Sequence, residues 1–360
     1  MTLFARRSAA LGLSPAIVPV STWLVLGFAL GPRVLDVLSS DALAHLDAAV
    51  SVALGTLGVF VGLALVPRAR NAVPILGAAL VESGFAVAIV SAAAAFLLAA
   101  RHVPLTSPLP LIAISLGAAA GASGAGAFSQ GNLLGEDHAM HIADLDDVLP
   151  IAVAALAAGF VDQQSGVSWI AAVAEPIAIG AACGTIGLLL FERTTGEAER
   201  AVFVLGVLAL IGGACAFAGV SPLLGGVSAG LFWRNVPGRA DTVILDDLRK
   251  FQHPLVVLLV VVAGAQTILD PLPLFLFAIF VVFRLTGKVI GGAAAARMVP
   301  TLAGEALGAY LVSPGVMGIA IALNLQQIAP SDGRAVVSAI AFGTLVFEVV
   351  SALVVPAEPA

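Results

Sequence analysis

The sequence predicts an all-α membrane protein with about twelve transmembrane helices, and three observations support that fold class. Of the 360 residues, 60% are hydrophobic and only 11% are charged, with a mean hydropathy of +1.09. Soluble domains carry about 25% charged residues. Apolar stretches of roughly 20 residues, long enough to cross a ~30 Å hydrocarbon core, recur along the whole chain. The basic residues are also divided unequally between the two sides of these stretches.

Twelve spans are predicted where charged residues, proline and glycine separate the apolar stretches. They cover residues 16–32, 46–66, 73–100, 109–130, 139–161, 168–192, 201–218, 221–234, 251–269, 272–296, 303–325 and 335–356. The eighth is short for a full crossing. Because the spans follow one another closely, residues 1–360 are expected to form a single transmembrane domain.

Basic residues test the number of spans independently. Eleven of them fall in segments on the side of the N-terminus, three fall on the opposite side, and Arg284 and Lys288 lie within the tenth span. The first group is Arg6, Arg7, Arg68, Arg70, Arg193, Arg200, Arg234, Arg239, Arg249, Lys250 and Arg297, and the second is Arg33, Arg101 and Arg334. The positive-inside rule then predicts that both termini are cytoplasmic. The expected location of this multi-pass protein is the cell inner membrane.

Composition also excludes several classes of function. The net charge is −6 and no basic run is present, which argues against a nucleic-acid partner. Cys183 and Cys215 both fall inside apolar segments, so they are expected to be small core residues and not a disulfide. Residues 1–14 lack the apolar region of a cleaved signal peptide.

The fourth and eleventh spans have a backbone chemistry that interrupts helices. The fourth contains GAAAGASGAGAFSQG, with Gly121 and Gly124 inside it, and the eleventh contains LVSPGVMG, where Pro314 and Gly315 adjoin. Glycine adds backbone freedom and proline removes a donor. In lipid, a freed carbonyl is tolerated only where it contacts protein or lines a watery cavity.

Paired interrupted spans are typical of a transporter binding site built from inverted repeats. The eleventh span comes seven spans after the fourth. Because seven is an odd number, the two spans run in opposite directions through the membrane. This arrangement suits a repeat in which spans three to five correspond to spans ten to twelve. The alternative is that these glycines only allow close helix packing.

The segment IADLDDVLPI places Asp144, Asp146 and Asp147 beside an apolar run. From Val148 to Val161 there are 14 uncharged residues, which are too few to cross the membrane at ~1.5 Å per residue. The fifth span is therefore expected to include the acids, with Asp147 about a third of the way along it and near mid-membrane. A shorter helix with its acids at the interface is the alternative.

A charged side chain at the centre of a membrane helix costs ~2.5–3.5 kcal/mol, so buried acids normally face a cavity and a partner. The expected partner of Asp146 is Lys288, in FRLTGKVIGG of the tenth span. Snorkelling of Lys288 to the interface is the alternative. Arg284, one turn earlier, is expected to snorkel or to pair with Glu305 or Glu348.

Other polar residues receive less specific predictions. Asp144 is assigned to an entrance. Structural ion pairing is favoured over transport for Glu82, Glu175 and Glu348. His138 and His141, at helical spacing, suit either pH sensing near the entrance or an ordinary interfacial position.

Taken in order, these segments resemble the monovalent cation/proton antiporters. TWLVLGFALGP is similar to the family's second-helix pattern, LGTLGVFVGLAL to its Gly-Leu pattern, and DLDDVL to its paired-aspartate motif. GVSPLLGGVSAGLFWRN, HPLVVLLVVVAGAQ, RLTGKVIGG, SPGVMGIAIAL and FGTLVFEVV follow in the family's order. The resemblance covers most of the chain.

The resemblance implies an antiporter-like fold with two parts and a homodimer. One part is a core bundle, about residues 73–161 and 272–356, in which the interrupted fourth and eleventh spans cross. The other is a dimerisation scaffold, about residues 16–66 and 168–269. No cofactor is implied.

The resemblance also assigns the site residues. Asp147 is the carrier of the proton and the ligand of the transported Na⁺, with Asp146 beside it and Lys288 as the partner of Asp146. Ser123 stands where many members have a Thr/Ser-rich crossing. A pair of aspartates is associated with electrogenic exchange. Pro150 replaces the family's usual glycine.

The resulting hypothesis is exchange of Na⁺ or Li⁺ for protons by alternating access, with the proton and the cation competing for one carboxylate. Three alternatives remain: a sodium-coupled symporter of an organic anion, an intramembrane aspartyl protease, and a receptor or scaffold that transports nothing. The protease is disfavoured because its two aspartates must share a proton across helices. The expectation is therefore a transporter and not an enzyme.

Overall fold

In a computed structural model of the chain, the described residues are 20–65, 72–101, 108–124, 142–143, 145–159, 169–191, 193–194, 196–236, 240–299 and 307–354. Their regular secondary structure is entirely α-helical. Twelve helices have eleven residues or more and one has four. They are α1 (Val20–Leu30), α2 (Ser40–Ala64), α3 (Ala72–Ala100), α4 (Pro108–Gly121), α5 (Val148–Ala158), α6 (Trp169–Phe191), α7 (Glu197–Ala218), α8 (Pro222–Asn235), α9 (Ala240–Gln266), α10 (Pro271–Ala296), α11 (Leu307–Tyr310), α12 (Gly315–Ile328) and α13 (Pro330–Val354).

The twelve longer helices correspond one to one with the twelve predicted spans, so the all-α membrane fold is confirmed. Seven of them are long and apolar enough to cross a membrane, namely α2, α3, α6, α7, α9, α10 and α13. The remaining apolar helices are shorter, and three of these, α4, α5 and α12, belong to the predicted interrupted or acidic spans. The chain is therefore a multi-pass membrane protein.

Some helix boundaries differ from the predicted spans. The helix α9 begins at Ala240, well before the predicted start at 251, and α13 begins at Pro330 instead of 335. A helix can continue beyond the membrane as long as its backbone hydrogen bonds form. Charged residues therefore mark the end of an apolar stretch but not the end of the helix. Proline is also favoured at a helix start, which suits Pro330.

Close packing of small residues joins α2 to α8. Gly58 and Gly62 of α2 lie against Gly226 and Gly230 of α8, and a Cβ at any of the four would come within 3 Å of the opposite backbone. Small residues four apart allow such an approach in membrane helices. Elsewhere in the fold, α3 packs along α10, and α4 packs against α3 and α5.

Both spans leave helical geometry where predicted, and their non-helical residues meet at a contact that we call the crossing. The helix α4 ends at Gly121, and residues 122–124 are not helical; α11 ends at Tyr310 and α12 begins at Gly315. The backbone N–H of Gly124 donates to the carbonyl of Ser313 at 2.8 Å. The fourth span is therefore shorter as a helix than predicted, because the chain leaves helical geometry at Gly121.

Replacing Gly315 by alanine is expected to destabilise this crossing. Gly315 has a φ of +58°, and a Cβ there would lie 2.6 Å from the Cα of Gly124. The left-handed conformation alone costs an L-residue roughly 1–2 kcal/mol. The measurement is the apparent Tm of the purified protein in detergent, which we expect to fall.

The matched control is Gly213→Ala on α7, where a Cβ meets nothing within 4 Å. Alanine inside a helix is favoured over glycine by roughly 0.5–1 kcal/mol, so this variant should keep or raise the Tm. Equal Tm values for the two variants would contradict the strained crossing.

Candidate functional site

The ammonium of Lys288 lies at the centre of a buried polar cluster. Its Nζ is 3.0 Å from Glu82 Oε2, 3.3 Å from Asp146 Oδ2, and 2.6 Å from both the Ser123 hydroxyl and the Gly121 carbonyl. Lys288, Glu82 and Asp146 are all 0% exposed. A lysine has three N–H donors, so these four acceptors compete for them. Lys288 therefore does not snorkel, and the structure brings it to Asp146.

The two aspartates lie in a turn directly before α5, not within a continuous helix as predicted. The helix α5 begins at Val148, with Asp147 as its N-terminal cap residue. Helical hydrogen bonds still flank the turn, since the N–H of Asp146 donates to Ile142 and the N–H of Ile151 donates to Asp147. Asp146 is fully buried and Asp147 is 8% exposed. The turn holds both carboxylates at the N-terminal end of the short helix α5.

The end of α4 connects this acidic turn to the helix crossing. The Ser123 hydroxyl donates to Asp146 Oδ2 in a short hydrogen bond. Gly121 packs beside Pro150, since a Cβ there would lie 2.8 Å from the proline ring. The last residue of α4, Gly121, therefore supplies a carbonyl to the cluster around Lys288, and the non-helical Ser123 supplies a hydroxyl.

Arg284 corrects one prediction, because it neither reaches the interface nor pairs with Glu348. It is fully buried, and Glu348 instead accepts from the backbone N–H of Ser21 at 2.8 Å. The guanidinium donates to backbone carbonyls of both spans. Before α12, the acceptors are the carbonyls of Val312 at 2.8 Å and Leu311 at 3.4 Å. At the end of α4, they are the carbonyls of Ala119 at 3.4 Å, Ala122 at 2.7 Å and Ala120.

Five planar donors suit Arg284 for this position. The carbonyls that two broken helices leave without helical partners need donors, because an unpaired polar group in a buried site is costly. Phe280 and Phe347 lie near the guanidinium, each with its ring centroid 5.7 Å from Cζ. Arg284 is therefore the residue that joins the two interruptions from α10.

Glu82 belongs to this cluster although the sequence predicted only structural pairing for it. It lies on α3, and α3 approaches α10 so closely that a Cβ on Gly291 would be 2.6 Å from the Glu82 carbonyl. The close approach brings the Glu82 carboxylate to Lys288. The sequence did contain a signal for this role, because a carboxylate inside an apolar span normally has a buried partner.

Among the described residues, this cluster contains more acidic than basic side chains. Glu82, Asp146 and Asp147 are three carboxylates, whereas Lys288 and Arg284 are two cations. Within the part of the chain that the structure describes, no cluster of three His, Cys, Asp or Glu residues is suited to hold a resident metal ion.

Several predicted residues lie away from this cluster or outside the described residues. Asp144, Glu305, His138 and His141 are outside the described residues. Glu175 is exposed on α6, and Cys183 and Cys215 are buried with free thiols. Gly124, Pro314 and Gly315 lie at the crossing, and Gly121 lies at the end of α4.

Two solved structures of a sodium/proton antiporter, MjNhaP1 from Methanocaldococcus jannaschii, are similar to this chain. The structure at pH 8 has a TM-score of 0.62 and 17% identity, covering 96% of this chain and 94% of the antiporter. An electron-microscopy structure has a TM-score of 0.59 and 18% identity, covering 98% and 96%. No protein-family model and no curated protein matches the sequence. At this identity the likeness shows that the chain has the antiporter fold.

Proposed function

We propose that the protein exchanges Na⁺ or Li⁺ for protons across the membrane by alternating access. The observation that carries this proposal is the buried cluster of Glu82, Asp146 and Lys288 beside two helix interruptions that meet. Buried carboxylates in membrane helices mark ion and proton pathways. Both similar structures are of a protein described as a sodium proton antiporter, which supports the same function.

The chemistry of the acidic turn suits this exchange. Alkali cations, as hard ions, prefer oxygen ligands, and the carboxylates of Asp146 and Asp147 with the hydroxyl of Ser123 offer them. A carboxylate that binds a cation resists protonation, and a protonated carboxylate binds cations poorly. Competition at Asp147 therefore couples the two fluxes, with Asp146 beside it and Lys288 as the partner of Asp146.

Alternating access requires a boundary along which two parts of the molecule move. A cavity of about 280 Å³ lies between α2 and the end of α9 on one side and α12 and α13 on the other. Its lining includes Asp47, Gln327, Arg33 and Arg334. The cavity follows the boundary between the proposed scaffold, residues 16–66 and 168–269, and the proposed core, residues 73–161 and 272–356.

The assembly and environment form part of the same proposal. We propose a homodimer in the cell inner membrane, with both termini cytoplasmic, and no cofactor. Contact with lipid is supported by exposed apolar side chains on α6 and α7, among them Trp169, Leu189, Val202 and Phe217. These faces bury little in the described protein and suit a hydrocarbon environment.

The decisive experiment reconstitutes the purified protein in vesicles that contain a pH-sensitive dye. Addition of Na⁺ or Li⁺ to one side is expected to drive proton movement to that side without any organic substrate. K⁺ is added in a separate trial to measure selectivity. An absence of cation-driven proton flux would contradict the proposal, and flux only in the presence of an organic anion would favour the symporter.

We propose that the exchange is electrogenic, because two neighbouring aspartates can carry two protons for one monovalent cation. Lys288→Gln is expected to keep part of the exchange while changing the charge moved per cation, since it removes the fixed positive charge beside Asp146. The measurement is exchange rate against imposed membrane potential. Lys250→Gln, at an exposed lysine of α9, is the control. Unaltered voltage dependence in Lys288→Gln would remove Lys288 from the mechanism.

A further inference from the structure

We propose that Glu82 is a positioning residue that draws the Lys288 ammonium away from Asp146 and so sets the affinity of the site for the transported cation. This inference rests on the proposed exchange function. It concerns a carboxylate that the sequence resemblance does not assign to the site. Its starting point is that Lys288 has two carboxylate partners on two different elements, α3 and the acidic turn before α5.

The two partners of Lys288 are not equivalent in distance. The Nζ atom is closer to Glu82 Oε2, at 3.0 Å, than to Asp146 Oδ2, at 3.3 Å. A charged hydrogen bond of this kind is strongest near 2.7–2.9 Å. The ammonium is therefore held at least as firmly by Glu82 as by Asp146.

One oxygen of Asp146 accepts hydrogen bonds from both a neutral and a charged donor. Asp146 Oδ2 accepts from the Ser123 hydroxyl and from Lys288, and it is also an oxygen that a bound cation would use. Asp146 Oδ1 has no hydrogen-bond partner among the described residues, and a cation that binds both oxygens of this carboxylate requires the ammonium to withdraw from Oδ2. Without another carboxylate, withdrawal would leave a buried positive charge with no counter-ion, which is strongly unfavourable.

Glu82 removes that penalty. Its Oε1 atom has no hydrogen-bond partner in the structure, so the carboxylate can accept a further N–H from Lys288 when Asp146 binds the cation. The carbonyl of Gly121 and the hydroxyl of Ser123 remain available to the other donors. Arg284 does not take over this role, because its donors are directed to backbone carbonyls.

The test compares the KM for Na⁺ and the maximal rate in vesicles for the wild type and Glu82→Gln. Among the described residues, removing the charge of Glu82 leaves Asp146 as the one anionic partner of Lys288, so the ammonium competes more strongly with Na⁺. We expect the KM to rise roughly tenfold, on the scale of one close pair interaction, with a smaller change in the maximal rate. Glu175→Gln, at an exposed glutamate of α6, is the matched control and should leave both values unchanged.

A double substitution tests whether Glu82 acts through Lys288. In a Lys288→Gln background, the additional Glu82→Gln substitution is expected to change the KM less than twofold, because no ammonium remains to be positioned. A tenfold rise in that background as well would show that Glu82 acts directly and would overturn the inference. Glu82→Asp keeps the charge on a shorter side chain, and its KM should lie between those of the wild type and Glu82→Gln.

The outcomes separate the two proposals. An absence of Na⁺-driven proton flux in the wild type contradicts the exchange function and, with it, this inference. Flux in the wild type with an unchanged KM in folded Glu82→Gln contradicts the inference alone. If Glu82→Gln does not fold, an unchanged KM in Glu82→Asp has the same consequence.

Discussion

Replacing Asp147 by asparagine is expected to lower Na⁺-driven proton flux by about two orders of magnitude or more. Asparagine keeps the shape of the side chain but neither takes up the transported proton nor attracts a cation by charge. A loss of roughly 3 kcal/mol in cation binding corresponds to a factor of about 100. The measurement is the pH-dye assay in vesicles, made at saturating and subsaturating Na⁺.

Asp147 lies at the start of α5, a position where asparagine is as favourable as aspartate. It is the N-terminal cap residue of α5 but its side chain makes no capping hydrogen bond there. Asp270→Asn is the control, because Asp270 is exposed and forms only a 3.8 Å ion pair with Arg33. Such surface pairs contribute about 0–1 kcal/mol. A folded Asp147→Asn variant with normal flux would show that another group carries the proton.

Replacing Arg284 by alanine is expected to cause the largest loss of stability. The substitution removes the donors to five backbone carbonyls at the two interruptions. Hydrogen bonds to a charged group contribute about 1.5–3 kcal/mol each, so the free energy of unfolding should fall by at least about 3 kcal/mol. The apparent Tm in detergent should therefore fall by several degrees, and vesicle flux should fall with it.

Two further variants define the cause of that loss. Arg101→Ala removes an exposed arginine that stacks on Phe275 at 3.9 Å, a contact worth about 0.5–1 kcal/mol, and should change the Tm little. Arg284→Lys keeps the charge but offers three donors where arginine has five, so its Tm should be intermediate. Equal stability of Arg284→Ala and Arg101→Ala would mean that the crossing does not depend on the guanidinium.

The cluster also gives a physical reason why its members act together. Glu82, Asp146 and Lys288 come from α3, the acidic turn and α10, and each is fully buried. In such a site a charge without its partner is far more costly than at a surface. Substitutions at Glu82 and Lys288 are therefore expected to be non-additive, whereas those at Asp270 or Arg101 should be independent of them.

Local chemistry alone predicted much of the fold. Apolar length predicted all twelve longer helices, because a membrane span must be both long and apolar. Gly121, Pro314 and Gly315 predicted the interruptions, since backbone freedom and a missing donor act within one or two residues. The start of α5 after the acids was missed, because apolar length alone does not show where the turn begins.

Contacts between distant segments were only partly predictable from local patterns. A charged residue in an apolar span signals that a partner must exist, and this was enough to propose Lys288 for Asp146. The presence of such a charge does not show which of several buried groups is the partner. Glu82 reaches Lys288 because α3 and α10 approach closely near Gly291. Arg284 reaches carbonyls of both spans because their non-helical residues lie together beside α10. Partner choice depends on helix packing in three dimensions, whereas span length and helix breaks depend on neighbouring residues in the chain.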